Sequence, residues 1–184
     1  MKHFGLLILM AFSCLMNVQA KSDPKDIPNQ LIRNLHGGCE LHTVDGVSSY
    51  SGYVGTGYYY YLDKHDRLYI NPAVDVKWGE YRSDNGYSMK TTSVAIPITV
   101  GYKLFQTDLI AMDVYGGARY EQILNVEGND YPSKVNTSQL GLTGGTALRF
   151  FNKFSINASY YYGLTSLFAD GTGKTTSFNF SFNF

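Results

Sequence analysis

Apolar and polar residues alternate along most of this chain, and the alternation is cleanest in its last ten residues, Thr175–Phe184. Phe178, Phe180, Phe182 and Phe184 take one face of a strand there, while Ser177, Asn179, Ser181 and Asn183 take the other. From Gly37 onward the same period of two recurs in segments bounded by turn residues. It predicts eight strands: Gly37–Val44, Ser51–Leu62, Arg67–Tyr81, Ser88–Phe105, Leu109–Asn125, Val135–Phe150, Lys153–Phe168 and Thr175–Phe184. The first rests on a short run after Gly37-Gly38 and is the least supported.

The two faces differ consistently. Val74, Val76 and Trp78 share a face, as do Ile96, Ile98, Val100, Tyr102 and Leu104, and Ile156, Tyr160, Tyr162 and Leu164. The opposite face mixes glycines such as Gly101, Gly117, Gly141 and Gly163 with Tyr59, Tyr61, Tyr115 and Tyr161. It also carries seven charged residues: Asp75, Lys77, Lys103, Asp113, Arg119, Glu121 and Arg149. A polar face of this kind suits a lumen, and the apolar face suits lipid. Folding the hairpins about their turns sets Asp113 diagonally beside Lys103 and Arg149 near one end. Asp75, Lys77, Arg119 and Glu121 then fall nearer the other, a near-neutral set that reads as a structural charge network.

Connection lengths add direction. Asp63–Asp66, Gln106–Asp108 and Phe151–Asn152 are tight, whereas Asp45–Tyr50, Arg82–Tyr87, Val126–Lys134 and Ala169–Lys174 are longer and rich in Gly, Asn, Asp and Ser. Short periplasmic turns, longer outer loops and an even strand number are the marks of an outer-membrane barrel with both ends in the periplasm. The predicted fold class is therefore all-β, an eight-stranded antiparallel up-and-down transmembrane β-barrel of a Gram-negative cell. Ten residues rising ~3.3 Å each at a ~40° tilt span ~25 Å, the height of the apolar band. Trp78, Tyr120, Tyr162 and Phe168 are expected in its outer aromatic girdle. Tyr58, Tyr60, Tyr102, Phe150, Phe154 and Phe182 are expected in the inner one.

Composition sharpens the picture at the N-terminus. Lys2 and His3 followed by the apolar stretch Phe4–Met16 and by Val18-Gln19-Ala20 read as a signal peptide over residues 1–20. Lipidation at Cys14, after Ser13, is the alternative to cleavage after Ala20. Residues 21–36, with Pro24 and Pro28, read as a periplasmic tether, and 37–184 as the barrel. Removing residues 1–20 takes away Lys2 and leaves 14 basic side chains against 15 acidic ones, a net charge of −1. That balance gives no electrostatic case for nucleic acid. Cys39 is then the sole cysteine, so no internal disulfide and no cysteine metal site is expected, and the scattered histidines predict neither metal nor cofactor.

The chain resembles the PorT-like outer-membrane β-barrel domain family of Bacteroidota over about Tyr50 to Phe184. Tyr69-Ile-Asn-Pro72, Val94-Ala-Ile-Pro97, Asp113-Val-Tyr-Gly-Gly117, Leu140-Gly-Leu-Thr-Gly-Gly145 and Tyr160-Tyr-Tyr-Gly-Leu164 carry the resemblance. The usual first-strand pattern is faint in Gly37–Val44. The resemblance implies an eight-stranded outer-membrane barrel whose terminal strand, through Phe180, Phe182 and Phe184, is read by the barrel-assembly machinery. It implies little about activity. Pro72 and Pro97 are expected to mark bulges.

Candidate chemistry is sparse. His42, Asp45, Ser48 and Ser49 gather at the expected outer rim, the inventory of an acyl-transfer site in a lipid-modifying barrel. An ordinary polar loop explains them as well. Gly171-Thr-Gly-Lys-Thr175 lacks the strand–loop–helix context of a phosphate loop. The sequence thus predicts a monomeric, non-enzymatic outer-membrane barrel with a side-chain-filled lumen, contacting lipid and open at its loops to an extracellular ligand or protein. The alternatives are a lipid-modifying enzyme using the His42/Asp45/Ser48 rim and a soluble ligand-binding barrel with its apolar face inside.

Overall fold

A computed structural model describes residues 34–44, 47–63, 65–82, 88–128, 134–151 and 154–183. The expected signal peptide with Cys14, most of the tether, Asp45, Phe184, and the central parts of the loops at 82–87 and 126–134 lie outside these residues. The strands are β1 (Leu35–Val44), β2 (Val47–Gly57), β3 (Tyr60–Tyr61), β4 (Leu68–Arg82), β5 (Ser88–Gln106), β6 (Ile110–Glu127), β7 (Ser138–Phe150), β8 (Phe154–Ser166) and β9 (Lys174–Asn183).

Every neighbouring pair is antiparallel, and β1 pairs with both β2 and β9, so the sheet closes on itself. β2 and β3 run along the same partner, β4, in one register, and together form one wall of an eight-stranded barrel. Closure leaves no unpaired sheet edge, which is what a lipid environment requires. The seam joins His36 with Asn183 at one end and Val44 with Thr175 at the other.

The two-face code has a direct structural outcome. Val54, Val76, Trp78, Ile98, Leu142, Tyr160, Phe178, Phe180 and Phe182 are exposed on the outside of the barrel. Glu40, Asp75, Lys77, Arg119, Glu121, Ser177 and Asn179 are buried inside. A soluble barrel with an apolar interior is the inverse of this arrangement, and that alternative is set aside. The close approach of rings to the wall accounts for two inward glycines. A Cβ at Gly101 would enter the Tyr69 ring, and one at Gly141 would enter the Tyr161 ring.

Several boundaries differ from expectation. β1 begins at Leu35, so Leu35 and His36 belong to the barrel and not to a tether. The β1–β2 connection is no six-residue loop: Val44 faces Val47 in register, and Tyr50 lies well inside β2. The seventh strand starts at Ser138, with Val135 making an isolated bridge to Phe168.

Pro72 and Pro97 mark no bulge. The β4–β5 ladder lapses between Pro72↔Ile98 and Asp75↔Ala95 without changing register, because neither proline has an N–H to donate. Opposite Pro72 the wall also breaks between β2 and β3, where the Tyr58 amide donates to the Pro72 carbonyl (3.0 Å) and the Asn71 side chain donates to the Tyr58 carbonyl (3.2 Å). The register shifts of the β5–β6 ladder lie instead at Thr92/Ser93 and Lys103/Phe105.

Candidate functional site: the barrel lumen

The lumen has three layers. The middle layer is a cluster of two acids and two bases drawn from three strands. Lys77 of β4 lies 2.7 Å from Glu40 of β1 and 2.9 Å from Glu121 of β6. Arg119 of β6 lies 2.9 Å from Glu40 and 3.1 Å from Glu121. Ser93 donates to Glu121 at 2.6 Å, and Ser177 of β9 donates to Glu40. The Arg119 guanidinium also sits over the Tyr161 ring of β8, 3.7 Å from its centroid. All four charges are at least nine-tenths buried, so each is tied to partners on both sides.

Toward the mouth that carries the chain ends, a second set of contacts follows. His36 and Asp75 meet at 2.7 Å, and Arg149 reaches Asp113 at 3.1 Å, where Tyr69 also donates its hydroxyl at 3.3 Å. Lys103 stands directly opposite Asp113 in register, but its ammonium turns to Gln106 (3.3 Å) and to the Tyr61 ring (4.7 Å from the centroid). The expected Lys103–Asp113 contact is therefore replaced by a Lys103–Gln106 one. Among the described residues the lumen holds Lys77, Lys103, Arg119 and Arg149 against Glu40, Asp75, Asp113 and Glu121, four charges of each sign.

Toward the opposite mouth lies a buried, mainly apolar layer: Val44, Tyr81, Met89, Ile123, Val135, Leu167 and Phe168. Leu167 and Met89 are fully buried, and Phe168 is 6% exposed, which removes Phe168 from the outer aromatic girdle expected of it. The segment that carries Leu167 and Phe168 is tied down. Leu167 donates to the Gly173 carbonyl, and its own carbonyl accepts from Asn136, while Ala169 donates to Lys134.

Sequence reasoning missed Glu40 and His36. The signal for Glu40 was its parity with His42 and Val44, obscured by the two glycines that weaken the first strand. The rim chemistry proposed from sequence is not assembled. His42 lies inside the lumen, 1% exposed and stacked on Tyr81 with ring centroids 4.4 Å apart. Ser48 is exposed on the other face of its strand, and Ser49 accepts a hydrogen bond from the Arg82 amide at 2.9 Å. Among the described residues no group of His, Cys, Asp or Glu is placed to hold a metal ion, and no helix is long and apolar enough to cross a membrane.

A closed antiparallel barrel with an apolar exterior and a polar, charge-paired lumen defines a small outer-membrane β-barrel protein. The chain belongs to the outer membrane protein beta-barrel domain family, whose model matches residues 49–169. No curated protein sequence matches the chain. Among solved structures it is similar to the outer membrane enzyme PagL, at 13% identity and a TM-score of 0.56, over 80% of this chain and 97% of that one. It also aligns with Neisserial surface protein A (13% identity, TM-score 0.49, 81% and 92% of the two chains). A third is Ail of Yersinia pestis (13% identity, TM-score 0.46, 82% and 95%). At these identities the likeness shows the fold alone, and with the family it places the protein in the outer membrane. The match is to the broader barrel family and not specifically to the PorT-like group.

Proposed function

We propose that this protein is a closed, non-conducting barrel without catalytic machinery, which either stabilises the outer membrane as a structural element or presents its outer loops to an external ligand or protein. The observation that carries this reading is the pairing of two obstructions in one lumen. The Glu40–Lys77–Glu121–Arg119 cluster crosses the bore, and the Leu167–Phe168 layer covers it. A barrel of eight strands has an interior just wide enough for its own side chains, so no continuous path is left for ions. Burial of His42 beneath Tyr81, away from Ser48, speaks against a rim-based acyl transfer. Refolded protein in planar bilayers is expected to give no stable single-channel steps, and reproducible steps would overturn the reading.

The terminal strand supports a second element of the proposal. Phe180 and Phe182 lie exposed on the lipid side of β9, and Phe184 continues their pattern in the sequence. They form the signal by which the assembly machinery recognises the chain. Phe182→Ala is expected to lower the heat-modifiable, membrane-inserted fraction in cells while leaving refolding into detergent intact. Equal loss in both settings would assign Phe182 to stability alone.

A further inference from the structure

Besides the lumen cavity of about 110 Å³ beneath the charge cluster, the barrel has a recess of about 330 Å³ at the rim of the same mouth. Short turns mark this mouth as periplasmic. The recess lies between two of those turns. His65 and Arg67 line it from the turn before β4, and Lys103, Phe105 and the turn Gln106–Asp108 line it from the end of β5. Both turns are held by their own hydrogen bonds: Asp63 accepts from the Arg67 and Leu68 amides, and Thr107 exchanges hydrogen bonds with Ile110. The Lys103 amide donates to the Arg67 carbonyl at 2.9 Å and ties one turn to the other.

Charge decides what fits there. Lys77, Arg119 and Arg149 each reach a carboxylate within 3.1 Å. Lys103 differs: it is 6% exposed, yet no carboxylate among the described residues forms an ion pair with it. Asp113, opposite it in register, is taken by Arg149. The Lys103 ammonium has only the neutral Gln106 Oε1 at 3.3 Å and the Tyr61 ring. A buried ammonium without a counter-charge is costly, so this corner of the rim calls for an anion. Gln106 is exposed, and an incoming anionic oxygen reaches the ammonium by displacing its long amide contact. Arg67 adds a second, exposed cation to the recess, and Asp108 adds one exposed carboxylate. Two cations beside one acid complement an anion that carries an ammonium of its own. The lipid surface adjoins this set. The irregularity between Lys103 and Phe105 turns Leu104 and Phe105 both outward, 49% and 48% exposed, so Phe105 borders the recess from the lipid side.

We propose that this recess binds the headgroup of an ethanolamine phospholipid of the inner leaflet. The phosphodiester oxygens accept from Lys103 and Arg67, the lipid ammonium meets Asp108, and the acyl chains run along Phe105. The inference goes beyond general contact with lipid, and it stands whether or not the barrel conducts.

The test uses the full-length chain refolded in detergent micelles, with bound lipid counted by native mass spectrometry. The probes are dimyristoyl phosphatidylethanolamine, phosphatidylglycerol with the same chains, and water-soluble glycerophosphoethanolamine. The ethanolamine lipid is expected to fill one saturable site, about threefold more tightly than the glycerol lipid, the worth of one exposed ion pair. It is expected to bind at least about tenfold more tightly than the soluble headgroup, which lacks the chains that pack on Phe105. Lys103→Met is expected to weaken ethanolamine-lipid binding about tenfold, the loss of one charge-assisted hydrogen bond, and Asp108→Asn to abolish the preference over the glycerol lipid. If Lys103→Met does not show the folded band on a heat-modifiability gel, Arg67→Gln, at an exposed position, replaces it with an expected loss of about threefold. Absence of a saturable site, undiminished binding in the folded variant, or equal binding of the two lipids by the unaltered chain would each overturn the proposal. Soluble headgroup binding as tightly as the lipid would overturn it too, and would assign the recess to a soluble phosphodiester.

Discussion

Single residues matter most in this protein where a charge has no route to water. Glu40 is the clearest case, because two cations, Lys77 and Arg119, converge on it and Ser177 donates to it from the closing strand. Glu40→Gln keeps the shape but removes the charge, leaving two buried cations on the single carboxylate of Glu121. Breaking such a buried set typically costs about 3–5 kcal/mol. We expect a loss of that order in urea unfolding of the refolded barrel, and a far smaller one on simultaneous Glu40→Gln and Lys77→Met, which restores balance. Equal losses in the single and double variants would show that shape and not charge matters at this point. Glu40 is also where sequence reading falls short. Asp75, Lys77, Arg119 and Glu121 announce themselves by alternating within long strands, whereas Glu40 follows Gly37-Gly38 in a run too short to establish its own period. Its partners lie 37 to 137 positions away along the chain; the successive β1–β2 and β2–β4 pairings bring Lys77 near it, and barrel closure through β1–β9 brings Ser177.

Elements were legible to the extent that a strand's two environments differ. From β4 to β9 one face meets lipid and the other a wet lumen, so strand existence and facing could be read from period two alone. What could not be read was where a strand keeps going after its side chains stop alternating. Val47–Tyr50 looked like loop because Ser48 and Ser49 are turn residues, yet their backbone pairs with Thr43 and His42. Phe168 looked like lipid-facing aromatic surface, but the chain turns inward after Ser166 and carries it over the lumen. The tight turn before β4 shows the opposite case, with local chemistry sufficient. Asp63 accepts from the Arg67 amide at 2.7 Å and from the Leu68 amide at 2.9 Å. Desolvation pushes its carboxyl up, but hydrogen bonds from Leu68, Arg67 and their neighbours outweigh it and hold the group below the ordinary carboxylate range. The sign follows: the depressed carboxyl steadies the turn above the ordinary carboxylate value of about 3.9, and loses that effect as pH falls through its own lower value. Amide exchange at Arg67 and Leu68, corrected for intrinsic rates, should therefore speed up on acidification in the native protein and be insensitive to it in Asp63→Asn.

For the whole molecule, the decisive feature is that the two obstructions stand in series and are built from different interactions. The apolar layer draws Val44 from β1, Tyr81 from β4, Met89 from β5, Ile123 from β6 and Leu167 and Phe168 from the last outer connection. On the proposed reading it excludes water because it is apolar apart from the Tyr81 hydroxyl, and Tyr81 is itself buried. On the same reading the cluster below excludes ions because its charges are paired with one another across the bore. Obstructions in series make closure robust to single changes. Phe168→Ala alone removes bulk from the upper layer but leaves the cluster across the bore. Glu40→Ala with Arg119→Ala removes one charge of each sign, leaves Lys77 paired with Glu121 at 2.9 Å, and still lies under the intact cap. Neither variant should conduct in planar bilayers. Only the combination of all three substitutions opens a continuous aqueous path from the periplasmic cavity to the outer mouth, and it should give small but resolvable current steps. Conduction by Phe168→Ala alone would mean that the charge cluster is permeable and that the apolar cap is the sole seal. No conduction by the folded triple variant would mean that the tyrosines and the remaining Lys77–Glu121 pair fill the bore without help from either.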